Sequence, residues 1–203
     1  MKNRYHRYLK LTEDYAPVVD FSKWDVKNLQ WVEFHKDLQL NQLNNSKLIN
    51  WLFSLNMTSE WIEVFYTPPG QDGIIHSDTT KYTDYSKIVF QYGAKGSTMR
   101  WWDSKFAKAV STSLEQYSDK LSTSYRSDDH YHGDVLVSSP EFSEIKYEAE
   151  IGTASLVNVG PMHSSHNPTT EGRFVVTLAL FDLRGNRILW DDALFRLRDY
   201  VND

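Results

Sequence analysis

Apolar positions along the chain follow two different periods. In "NNSKLINWLFSLN", Leu48, Ile49, Leu52, Phe53 and Leu55 fall at helical spacing, and Asn45 or Ser46 can cap the start. Beyond that segment the period drops to two. "WIEVFYT" (61–67), "GIIHSD" (73–78), "KIVFQYG" (87–93), "TMRWWD" (98–103), "DVLVSS" (134–139), "EIKYEAE" (144–150), "TASLVNVG" (153–160) and "RFVVTLALFDL" (173–183) read as eight strands, punctuated by "PPG", "YG", "SSP" and "NP". Eight strands without regular intervening helices predict a mainly β fold, a double-sheet jelly roll under an N-terminal helical cover. The chain reads as a single domain, 1–203, with a cover of 1–60 and a jelly-roll core of 61–183.

Residues 104–133 interrupt the rhythm. "STSLEQYSDKLSTSYRSDDHYHG" is rich in Ser, Asp and Tyr and low in aliphatics, the composition of an inserted lid-like loop or a solvated one. Composition then narrows the function. Aromatics make up 14% of the 203 residues, which suits a β-rich core. The net charge of -5 and the lack of a basic block argue against a nucleic-acid partner. With no cysteine, disulfides, zinc–thiolate sites and cysteine nucleophiles are excluded. No apolar run approaches the ~20 residues that span a bilayer, and "MKNRYHRYLK" does not read as a signal peptide, so the expectation is a cytoplasmic protein without a membrane partner.

Candidate chemistry begins at "IIHSD". His76 and Asp78 are two apart on an expected strand, so their side chains point to one face. Imidazole and carboxylate side by side form two thirds of a 2-His-1-carboxylate site, although a surface pair or a simple hydrogen bond gives the same pattern. A third donor must come from far along the chain, and "GPMHSSHNP" offers His163 and His166. His163 lies on the projected continuation of the alternation in "SLVNVG", with Pro161 able to disturb the phase. His166 abuts Asn167-Pro168, a turn signal.

His76-x-Asp78, a distal histidine, and an arginine ten residues after His163 at the start of the last strand resemble the 2-oxoglutarate/Fe(II) oxygenase superfamily. The similarity covers about residues 61–183. It is to the small jelly-roll type, whose fold is a cupin-like double-stranded β-helix, and in particular to aspartyl/asparaginyl hydroxylase-like and phage-type members. The resemblance implies Fe(II) held by His76, Asp78 and His163, with His166 only a neighbour. It implies that Arg173 holds the distal carboxylate of 2-oxoglutarate, a task that suits a planar guanidinium that never loses its charge. It also implies a hydroxylase: 2-oxoglutarate and O2 are consumed, succinate and CO2 released, and a C–H bond of a peptide side chain or small molecule oxidised. An aspartate at position 78, where related halogenases carry a small residue, fits hydroxylation. One departure is Val175, where some relatives place a serine, so a further contact to the cosubstrate must come from elsewhere. On "KIVFQYG", Lys87, Val89 and Gln91 share the more polar face; Gln91 either lines the cosubstrate pocket or faces solvent. The rival to the enzyme is a non-catalytic cupin-like module that binds a metal or small molecule.

Two other clusters carry less. "DDHYHGD" gathers Asp128, Asp129, His130, His132 and Asp134, which reads as a solvated loop or a second metal site. Trp101 and Trp102 are adjacent on a strand, so at most one faces the interior, where core packing is the expected role.

Overall fold

A sheet whose strands are apolar on alternate positions must bury that face against another layer. The computed structural model describes residues 3–23, 26, 34–38, 40–60, 62–79, 81–111 and 134–202, and these residues solve the problem with two antiparallel sheets. Strands are numbered along the chain. One sheet has the order β1 (His6–Tyr8), β12 (Ser155–Asn158), β7 (Ser86–Tyr92), β14 (Arg173–Ala179), β4 (Ile62–Thr67), β2 (Phe34–Leu38). The other runs β11 (Ser143–Glu150), β8 (Thr98–Ser104), β13 (His163–Asn167), β6 (Ile75–Ser77), β10 (Asp134–Ser138), β9 (Lys108–Ser111), with β5 (Gln71–Asp72) also paired to β13. A short ribbon joins β3 (Met57–Thr58) to β15 (Phe181–Asp182).

The central strands define the fold. β4, β7, β12 and β14 lie in the first sheet and β6, β8, β11 and β13 in the second. In chain order the path crosses between the sheets at every step except from β8 to β11. Two four-stranded antiparallel sheets joined in this way are a jelly roll.

Two differences between the expected strands and the observed ones bear on the core. Residues 134–139 were expected in the core, but β10 is an added strand between β6 and β9. The core strand absent from the alternation is β13, "HSSHN". Its residues are all polar or ionisable, so hydrophobic period could not reveal it. The helix α2 (Trp190–Arg196) was also not anticipated; it buries Trp190 and Ala193. The helix that was expected is α1 (Ser46–Ser54). Asn45 caps it by accepting from the Leu48 amide at 2.9 Å, and Leu48, Trp51 and Leu52 are buried. Of the expected lid 104–133, residues 112–133 lie outside the described residues, and with them Asp128, Asp129, His130 and His132.

The first sheet is buried on both faces. On its outer face Ile62, Val64, Ile88, Phe90, Leu156, Val176 and Leu178 form one cluster with α1 and α2. On its inner face Val89, Val157 and Val175 meet Met99 and Trp101 from the second sheet. Register aligns these rows: Val64, Val176 and Phe90 share one rung, and Glu63, Thr177 and Val89 the next. Alternation along each strand therefore sends charges and hydroxyls of the apolar strands to the interior between the sheets.

Candidate metal centre

The candidate donors come together where β6 stops and β13 begins. His76 sits mid-strand in β6, directly opposite His163, the first residue of β13. Asp78 follows β6, with its amide donating to the Val159 carbonyl at 3.2 Å. Between them Ser77 points the other way, fully buried, and its hydroxyl donates to the Gly160 carbonyl at 2.6 Å. Gly160 packs so closely on Thr83 that a Cβ there would collide with the Thr83 carbonyl. This tight crossing ends β12 and sends the chain to the second sheet. His163 is thus not the continuation of the 153–160 strand; Gly160, Pro161 and Met162 turn the chain, and His163 reaches the interior from a strand of its own.

The geometry of the three side chains is convergent. Asp78 Oδ1 lies 3.4 Å from His76 Nε2 and 3.7 Å from His163 Nε2, and the two rings are 4.4 Å apart. One possible donor atom from each residue falls within 4.8 Å of the others. The far nitrogen of each ring is engaged: His76 Nδ1 with the Ile74 carbonyl at 2.8 Å and His163 Nδ1 with the Pro161 carbonyl at 2.9 Å. A carbonyl only accepts, so each Nδ1 carries the proton and each Nε2 presents a lone pair to the shared point. Donors on an ion at ~2.1 Å stand roughly 3.0–3.4 Å apart for right-angled to tetrahedral bonds, so small movements would seat a divalent cation. Nitrogen and carboxylate oxygen donors suit a borderline transition metal.

Electrostatics match that donor set. Burial lowers His163 to about 3, with His76 adding to the effect, so its imidazole is neutral and able to ligate. Burial alone would raise Asp78. The Lys87 ammonium outweighs it and holds the carboxyl well below its ordinary range.

Lys87 and Glu63 were not singled out in the sequence. They are 5% and 2% exposed on the inner face. Lys87 Nζ donates to Glu63 Oε2 at 2.6 Å and sits 2.7 Å from Asp78 Oδ2, an ion pair rather than a directed hydrogen bond. The readable signal was a lone charge inside an otherwise apolar strand: Glu63 between Ile62 and Val64, Lys87 before Ile88. A buried charge needs a partner, and each of these implies the other.

Arg173, 2% exposed, opens β14 in the facing sheet, after the 168–172 connection from β13. Its Nε donates to Gln91 Oε1 at 3.1 Å, so Gln91 faces the interior and not solvent. Thr67 stands opposite Arg173 in register, and its hydroxyl bridges the sheets by donating to Ser165 Oγ at 3.1 Å. Asn167 is fully buried and ties the β13–β14 connection to the end of β4, donating to the carbonyls of Thr67, Pro68 and Glu171.

His166 lies elsewhere. Three residues from His163, it takes the other side of β13 and pairs with Asp72, which also meets Arg100 at 3.5 Å. Trp101 is fully buried in the inner cluster and donates to the Asn158 carbonyl at 2.8 Å, whereas Trp102 is half-buried and donates to Ser164 Oγ. Among the described residues no helix is long and apolar enough to cross a membrane.

No protein-family model matches the sequence, and no curated protein matches it. Solved structures with similar folds include Peruvianin-I, a cysteine peptidase from Thevetia peruviana latex (12% identity, 82% of this chain and 72% of that one, TM-score 0.36). They also include oxalate oxidase in complex with the substrate analogue glycolate (11%, 82% and 62%, 0.34) and a nickel complex of the non-heme monooxygenase ThoJ (15%, 70% and 53%, 0.35). The match spans 62% of the oxalate oxidase and 53% of the monooxygenase. All three likenesses are distant, and the jelly-roll description rests on the strand order itself.

Proposed function

We propose that this protein is an Fe(II)- and 2-oxoglutarate-dependent dioxygenase that hydroxylates a C–H bond of a peptide side chain or a small molecule. One observation carries the reading. His76, Asp78 and His163 converge between the two sheets, and the buried Arg173, at the start of β14, lies on the inner face of the facing sheet with Val175.

His76, Asp78 and His163 would hold Fe(II) on one face and leave the rest of its coordination sphere open. With 2-oxoglutarate and O2, the bound iron would supply the oxidising chemistry, yielding succinate and CO2. Arg173 would hold the distal carboxylate of 2-oxoglutarate with a charge-assisted pair of hydrogen bonds. Gln91 holds the guanidinium through Nε. Val175 has no hydroxyl to add. The hydroxyls of Thr67 and Ser165, beside Arg173, are the groups able to give the further contact. Val89, Val175 and Phe65 pack together on the inner face, and an apolar setting strengthens polar contacts beside it.

The rival reading, a cupin-like module that binds without turnover, has its own support. The Lys87 ammonium gives Asp78 a cationic partner without any ion. Fe(II)-loaded protein should form succinate from 2-oxoglutarate under air, faster in the presence of the correct peptide or metabolite, with one oxygen added to that substrate by mass spectrometry. Metal binding with neither succinate formation nor 2-oxoglutarate binding would replace the enzyme with the binding module.

A further inference from the structure

The buried cation beside the centre has a position that packing does not require. Lys87 stands opposite Ala179 on β14, and Glu63 stands opposite Thr177 two positions earlier. The small Ala179 and Thr177 leave room for the Lys87 chain to cross β14 and reach Glu63 on β4. Thr177 secures the far end, its hydroxyl donating to Glu63 Oε2 at 3.3 Å. The ammonium so anchored meets Asp78 on one oxygen: Oδ2 is 2.7 Å from Lys87 Nζ, while Oδ1 faces the two Nε2 atoms.

We propose that Lys87, tethered by Glu63, is a positioning residue that occupies Asp78 Oδ2 and restricts Asp78 to ligating through Oδ1 alone. The inference rests on the reading of His76, Asp78 and His163 as metal donors. Its consequence is a count of coordination positions. An octahedral ion with two imidazoles and one carboxylate oxygen keeps three positions, enough for a bidentate 2-oxo acid and O2. A carboxylate that chelated through both oxygens would take one of them. Lys87 also competes with the ion for Asp78, and Glu63 limits that competition by drawing the ammonium towards β4.

The two partners therefore predict opposite outcomes. Co(II), which does not support turnover, is the probe, followed anaerobically by calorimetry and by its visible d–d absorption. In Lys87→Met the competing cation is gone. Co(II) should bind more tightly, by roughly the 10–100-fold on which outer partners of metal ligands act. The d–d bands should weaken as the second Asp78 oxygen joins, and 2-oxoglutarate should bind the Co(II)-loaded protein more weakly. In Glu63→Gln the ammonium leans wholly on Asp78, and Co(II) affinity should fall on the same scale. If Lys87→Met does not fold, the double variant Glu63→Gln with Lys87→Met removes both buried charges and carries the spectral and 2-oxoglutarate measurements. A Lys87→Met or double variant with the wild-type Co(II) spectrum and wild-type 2-oxoglutarate affinity overturns the role of Lys87 and leaves the metal site standing. Wild-type protein that binds no Co(II), or binds it equally after His76→Ala, overturns the metal site and the role of Lys87 with it.

Discussion

The two faces of the β4–β14–β7–β12 sheet come from the same strands yet hold opposite kinds of side chain. The outer face, under α1 and α2, is aliphatic and aromatic throughout its central rows: Ile62 and Val64, Ile88 and Phe90, Leu156, Val176 and Leu178. The inner face mixes Val89, Val157 and Val175 with Glu63, Lys87, Thr67, Thr177 and Arg173. The outer face supplies burial without polar debt, and that surplus lets the inner face keep charges that would be costly alone. Stability and the candidate site are thus separated by one residue along each strand. The comparison holds only if changes on one face leave the other's property intact.

The largest effect is expected from the outer face. Phe90 is fully buried, and Phe90→Ala should cost about 3–5 kcal/mol of stability in urea denaturation. Metal binding per folded molecule should be unchanged; a matching loss of metal affinity would show that the faces are coupled.

Arg173→Ala tests the inner face. Losing a buried charge-assisted contact costs on the order of 2–5 kcal/mol, or about 30- to 3,000-fold in 2-oxoglutarate affinity. Anaerobic calorimetry should show that loss with Fe(II) affinity little altered, and Lys in its place should rescue only in part, because it lacks the planar fork. Unaltered 2-oxoglutarate affinity in a folded variant would sink the cosubstrate assignment.

A smaller effect lies at the inner edge, where His6 packs near Trp101 and Tyr147. The Ser155 hydroxyl donates to the Ile151 carbonyl and so accepts from His6 Nε2 at 2.8 Å, which places a proton on Nε2. Burial, helped by Arg7, lowers His6 to about 4 from 6.5. Between those values the unfolded chain binds the extra proton, so stability should be full above pH 6.5 and fall as pH drops towards 4, by up to about 3 kcal/mol. Denaturation midpoints against pH check this, and His6→Gln should flatten that part of the profile.

The smallest effect separates two histidines on one strand. His166→Ala removes a half-exposed pair with Asp72 and should cost under about 1 kcal/mol, with Fe(II) affinity intact. His163→Ala should abolish tight Fe(II) binding. The reverse result would exchange their roles.

The sequence by itself determined the features that depend on neighbours along the chain. Period-two alternation located β4, β7, β8, β11, β12 and β14, because a strand that buries a face must repeat every second residue. Helical spacing and a capping asparagine located α1. His76 and Asp78 were legible as a pair because two positions apart on a strand means one face. The tertiary structure alone decided the rest. β13 is too polar to announce itself, and it is a core strand only because β6 and β8 flank it. β10 alternates like a core strand, yet it was placed outside the jelly roll because pairing depends on which edges are left open. His163 faces His76 through a turn and a change of sheet, and Glu63 meets Lys87 across an intervening strand. Such contacts join residues far apart in sequence, where loop closure and packing of the whole sheet, not local period, set which side chains meet.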